Sequence, residues 1–84
     1  MNRRELERYV DSYINRLDLP TMINRHKQRK NKNLTISLMN FENSVVARQL
    51  LQQQLTQKGY TVEIKHVKDH VMNQPYHACV IKLA

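Results

Sequence analysis

The stretch LTISLMNFENSVVARQLLQQQLTQKGYTVEIK, residues 34–65, changes its hydrophobic period twice. It begins with alternating apolar and polar residues, as in a strand with one buried face. Apolar residues at helical spacing follow and predict an amphipathic helix, capped by Asn40 or Asn43 and ended by Gly59. A second alternating run covers residues 60–68. The apolar stripe of the helix is Val46, Ala47, Leu50, Leu51 and Leu55.

A third alternating run covers residues 77–83 and follows the loop DHVMNQPY, in which Pro75 marks the end of the turn. Because the last two strands should bury the same face, the pattern predicts one hairpin register. In that register Val62 pairs with Leu83, and Ile64 pairs with Ile81.

Residues 3–17 carry apolar side chains at steps of three and four, which predicts an N-terminal helix with one buried stripe. Asp18 and Pro20 end this helix and also suit the start of another, since Asp favours the N-cap and Pro the first turn. Residues 19–33 are then either a short helix or a basic connector. In a helix, the inward residues would be Met22, Ile23 and His26.

These elements predict a single small α+β domain, residues 1–84, in the order α-(α)-β-α-β-β, with a βαββ unit in residues 34–84. The first two strands should be parallel, and the last strand fits between them. The prediction is therefore a three-stranded mixed sheet in the order 1-3-2, with helices on one face. A chain this short buries only about 60–65% of its unfolded surface. An open sheet face is then available to a partner or to a second copy.

The stretch NRHKQRKNKN, residues 24–33, concentrates the positive charge of the chain. The net charge is +7, and this segment supplies five cations and no acid, which leaves +2 for all other residues. A concentrated field of one sign attracts polyanions, and contacts with phosphates release counterions. We therefore predict a nonenzymatic protein that binds nucleic acid or a ribonucleoprotein through backbone phosphates. The predicted contacts are Arg25, Lys27, Arg29, Lys30 and Lys32.

The alternative is a regulatory or inhibitory protein that binds another protein, or itself, through the sheet face or an edge strand. The predicted open face is partly apolar, and its interface residues would be Met39, Val67 and Val80. It has no pair of aromatic residues, which disfavours base stacking across the strands. Small size and a high content of Asn and Gln suit an accessory protein of a bacterium or a phage.

No catalytic or cofactor motif is present, so we predict neither an enzyme nor a bound cofactor. The predicted register sets His66 opposite Cys79, with His77 two residues from Cys79 and His70 in the loop. Zinc accepts such ligands, but their spacing matches no zinc signature, and we predict no metal. Cys79 is expected to be an inert core residue.

The N-terminal sequence MNRRELERYV places charges where a signal peptide has its apolar region, and no apolar run is long enough to cross a bilayer. A single cysteine allows no internal disulfide. These features favour a cytoplasmic protein with no membrane contact.

Overall fold

A computed structural model describes residues 1–69 and 74–83, and in these ranges it confirms the predicted element order. His70 and the rest of residues 70–73 lie outside the described residues. Of the two alternatives for residues 19–33, a short helix or a basic connector, the structure has the short helix, which ends at Gln28. The elements are α1 (Arg3–Leu17), α2 (Leu19–Gln28), β1 (Asn33–Ser37), α3 (Val45–Gln57), β2 (Thr61–Asp69) and β3 (Gln74–Lys82).

A single residue joins α1 to α2. Asp18 adopts a left-handed conformation, with φ 51° and ψ 57°, and α2 begins at the next residue with Pro20 in its first turn. The Asp18 carboxylate makes no capping hydrogen bond. At the start of α1, by contrast, the Asn2 side chain accepts a hydrogen bond of 2.8 Å from the backbone N–H of Glu5. The N-terminus of α1 is therefore capped, and its C-terminus turns directly into the next helix.

The ends of α3 are set by Ser44 and Gly59. The predicted caps Asn40 and Asn43 are wrong, because the Ser44 hydroxyl accepts from the Ala47 N–H at 3.3 Å. The Asn43 side chain instead accepts from Arg48 Nη1 at 3.0 Å, which leaves the capping position to its neighbour. The left-handed Gly59 is confirmed, with φ 97°.

The predicted strand order is confirmed, and β3 lies between β1 and β2. The sheet is antiparallel, not mixed. The parallel strands β1 and β2 are not neighbours, and β3 runs against both of them, so each hydrogen-bonded pair is antiparallel.

The predicted hairpin register is wrong by two residues. Val62 pairs with Ile81, and Ile64 pairs with Cys79, not with Leu83 and Ile81. Side chains in a strand alternate between faces with a period of two, so a slip of two residues keeps every side chain on its own face. The hydrophobic pattern fits both registers and could not distinguish them.

The core contains residues of the helices together with alternate residues of the strands. Phe41 was not predicted to be part of it, but it is only 6% exposed. Its ring centre lies 5.3 Å from that of Tyr9 and 4.8 Å from that of Tyr13.

The placement of all helices on one face of the sheet stays a prediction. Members of the core are Leu6, Val10, Ile14, Leu19, Leu34, Ile36, Leu38, Phe41, Ala47, Leu50, Leu51, Leu55, Cys79 and Ile81.

Val46 was predicted to belong to the apolar stripe of α3, but it is 42% exposed, unlike the other four members of that stripe. Consecutive residues of a helix are about 100° apart around the axis. Ala47 and Leu51 are fully buried, so the centre of the buried stripe lies on their side of α3. Val46 consequently lies at the edge of the stripe.

Candidate nucleic-acid interface

The five cations of the predicted contact set lie at the end of α2 and in the turn that leads to β1. All five are exposed: Arg25, Lys27, Arg29, Lys30 and Lys32. Cations near a helix C-terminus interact favourably with the partial negative charge of the last carbonyl groups. Part of this basic segment therefore also stabilises the helix that carries it.

The turn after α2 is a Schellman motif in which a lysine occupies the position usually taken by glycine. The Asn31 N–H donates to the His26 carbonyl at 3.0 Å, and the Lys30 N–H donates to the Lys27 carbonyl at 2.9 Å. Lys30 has φ 60°. The end of α3 has the same two bonds around Gly59, from Tyr60 to Leu55 and from Gly59 to Thr56. The same motif thus occurs once with glycine and once with lysine.

Lys30→Gly is expected to stabilise the fold by about 0.5–1 kcal/mol. A side chain in the left-handed region costs about 1–2 kcal/mol, and the greater freedom of glycine in the unfolded chain offsets part of the gain. Urea denaturation followed by circular dichroism measures the difference. Lys30→Gln is the matched control, since it removes the charge and retains the side chain. Equal stability of the two variants would contradict strain at Lys30.

Helical geometry separates two of the predicted contacts. Arg25 and Lys27 are two positions apart on α2, which places them about 200° apart around the helix axis. Met22, Ile23 and His26 are the partly buried residues of this half of α2, so Arg25 and Lys27 lie on opposite flanks of the inner side. The five cations consequently do not all project from one flank of α2.

The sheet register brings another lysine close to the basic segment. Lys82 pairs with Asn33 on one side and with Thr61 on the other. The Leu83 N–H donates to the Lys32 carbonyl at 2.9 Å. Lys32 and Lys82 therefore lie at the same end of the sheet, where β1 and β2 begin and β3 ends.

A cleft of about 320 Å³ opens at this end of the sheet, and we call it the sheet-end cleft. Lys27 from α2 and Lys82 from β3 both line it, and the described lining residues include no carboxylate. Tyr60 and Lys82 were absent from the predicted contact set. The strand order together with the correct register would have predicted that Lys82 lies close to the basic segment. The lining residues are Ile23, Lys27, Gly59, Tyr60, Thr61, Ile81, Lys82 and Leu83.

A larger groove, of about 780 Å³, lies between α1 and α3. It also contains cations, including Arg3, Arg4 and Arg8, but Glu7 and Asp11 line it as well. Arg3 Nε lies 3.2 Å from Glu7 Oε1 in an exposed ion pair. The charges in this groove are of mixed sign, so its field is weaker than the number of arginines suggests.

The histidine and cysteine residues considered for zinc do not converge among the described residues. His66 pairs with His77, not with Cys79, and their ring centres are 5.0 Å apart. Partial burial, Arg48 and His66 together lower the pKa of His77. Cys79 is 1% exposed, and burial raises the pKa of its thiol to about 11. In residues 1–69 and 74–83 no three potential ligands form a metal-binding group.

The residues predicted for a protein interface lie on the open side of the sheet or next to it. Met39 is 56% exposed, while Val67 and Val80 are partly exposed. Val80 pairs with Glu63, whose carboxylate lies 4.0 Å from Lys65 Nζ. Charged side chains therefore interrupt the apolar surface of this face.

Comparison with known proteins adds no functional assignment: no protein-family model, curated protein or solved structure matches the chain. Within the described residues, no helix combines the length and the apolar character needed to cross a bilayer.

Proposed function

We propose that this protein binds nucleic acid, or a ribonucleoprotein, without catalysing a reaction. The observation that carries the proposal is the set of exposed lysines at one end of the sheet, where Lys27 and Lys82 line one cleft and Lys32 is adjacent. The phosphates of the nucleic-acid backbone are the proposed ligands of the three ammonium groups. Contacts of this kind give affinity with weak sequence preference.

Protein binding through the sheet face has weaker support. Met39 is exposed, but Glu63 and Lys65 divide the face, and burying them against a partner would cost desolvation energy. The cations at the sheet end need no such burial, because they can contact a charged partner while they stay exposed to solvent. Exposed charges of one sign are already arranged for a partner of the other sign.

The salt dependence of binding tests the proposal. Each neutralised phosphate contributes about 0.7–0.9 to the slope of log affinity against log salt, so three contacts predict a slope of about −2 to −3. The variant with Lys27→Gln, Lys32→Gln and Lys82→Gln should lose most of that slope. Fluorescence anisotropy with single-stranded and duplex oligonucleotides, at several salt concentrations, measures it.

The control is a variant with Arg3→Gln, Arg4→Gln and Arg8→Gln, which removes the same charge from the groove between α1 and α3. It should retain nearly the full slope. A third variant, with Arg25→Gln, Arg29→Gln and Lys30→Gln, tests the remaining predicted contacts and should lose less slope than the lysine variant. No binding at low salt, or an equal loss in the lysine variant and the control, would contradict the proposed site.

A further inference from the structure

We infer that the nucleic acid is bound as a single strand, with one unstacked base against the ring of Tyr60 in the sheet-end cleft. The inference rests on the proposed function and adds the class of nucleic acid and the residue that contacts a base. A single strand fits better than a duplex because the cleft offers a surface that a paired base cannot reach.

Tyr60 is held by the turn at the end of α3. Its N–H donates to the Leu55 carbonyl at 3.2 Å, and the preceding residue, Gly59, provides the left-handed turn. The Tyr60 side chain is partly buried, packs against the core and also lines the cleft. A ring fixed in this way loses little conformational freedom when a ligand stacks on it.

The other walls of the cleft complement a flat apolar ring with charged groups on its flanks. Ile23, Ile81 and Leu83 are the apolar residues of the lining, and Lys27 and Lys82 are its basic residues. The volume of 320 Å³ is at the lower end of the range of about 300–1,000 Å³ for small-molecule sites, which suits a single base. An aromatic side chain beside cations is the usual arrangement for binding single strands.

A duplex cannot use these features together. Its bases are stacked and paired, so it presents phosphates to Lys27 and Lys82 but no free ring face to Tyr60. In a single strand, one base can leave the stack and enter the cleft while the neighbouring phosphates contact the lysines. Stacking on an aromatic side chain should then increase affinity for single strands about tenfold or more over phosphate contacts alone.

The test compares short mixed-sequence oligonucleotides, single-stranded and duplex, in DNA and RNA forms, at one salt concentration. Wild type should prefer single strands. Tyr60→Leu, which retains apolar packing, should weaken single-strand binding about tenfold and leave duplex binding unchanged. Tyr60→Phe should behave as wild type. Tyr76→Leu is the matched control, since Tyr76 is also partly exposed but lies near the other end of β3.

A spectroscopic measurement makes the test independent of the Leu variant. The chain has no tryptophan, so Tyr60→Trp introduces a single tryptophan at the proposed contact, and it can be excited selectively over the remaining tyrosines. Its emission should be quenched by a single strand and much less by a duplex. Equal affinities for the two forms, together with no effect of Tyr60→Leu and no selective quenching, would overturn the inference. In that case a salt slope that depends on the three lysines would still support the proposed function.

Discussion

Leu51→Ala is expected to destabilise the fold by about 3–4 kcal/mol. Leu51 is fully buried in the middle of α3, and truncation removes apolar contacts and leaves a cavity. Stability of roughly 0.05–0.15 kcal/mol per residue is usual, so a domain of 84 residues has about 4–13 kcal/mol in total, and this substitution removes a large part of it. Urea denaturation followed by circular dichroism measures the change.

Val46→Ala is the matched control for Leu51→Ala. It also shortens an apolar side chain on α3, but Val46 is 42% exposed, and alanine has the higher helix propensity. Its effect should stay within about 0.5 kcal/mol. A loss at Val46 comparable to that at Leu51 would contradict the position of Val46 at the edge of the buried stripe of α3.

Cys79 is expected to react with an aromatic disulfide reagent at least about 100-fold more slowly in the folded protein than in denaturant. Burial raises the pKa of the thiol from 9.0 to about 11, and the thiolate is the form that reacts. The side chain is also only 1% exposed, which hinders access. Absorbance of the released thiol at pH 8, with and without denaturant, gives the two rates.

Ser37→Cys supplies a control within the same molecule, because Ser37 is exposed on β1. The thiol introduced at position 37 should then react at an ordinary rate and that of Cys79 slowly.

The raised pKa of the Cys79 thiol also makes the stability of the fold depend on pH. The unfolded thiol loses its proton first, so stability due to the neutral thiol is present below pH 9 and declines as the pH rises toward 11. Rapid modification of Cys79 in the folded protein would contradict its burial.

Most of the fold could be predicted because its elements have clear periods. The α1 bounds, the strand order and the turn at Gly59 follow from apolar spacing, crossover topology and the freedom of glycine at positive φ. The N-cap of α3 was harder to predict, since Asn40, Asn43 and Ser44 all suit that position. Only the observed side-chain geometry selects Ser44.

The candidate site could be predicted only in part, because it depends on the hairpin register. The predicted register would have placed Lys82 opposite Glu63, a neighbour of opposite charge. In the structure Lys82 lies opposite Thr61, and Glu63 lies opposite Val80. A shift of two residues leaves the buried face unchanged but alters which charges are adjacent. The apolar pattern therefore predicts the core without predicting the electrostatics of the surface.

The position of β3 in the sheet has a consequence for biosynthesis. Of the six elements in residues 1–69 and 74–83, β3 is synthesised after the other five, yet within these ranges β1 and β2 each pair only with β3. Asn33 cannot form its strand pair until Lys82 has been synthesised, nearly fifty positions later in the chain. Until then the backbone N–H and C=O groups of β1 and β2 lack their partner strand, so these segments can pair with other chains. Completion of the sheet is thus a late event that follows synthesis of its central strand.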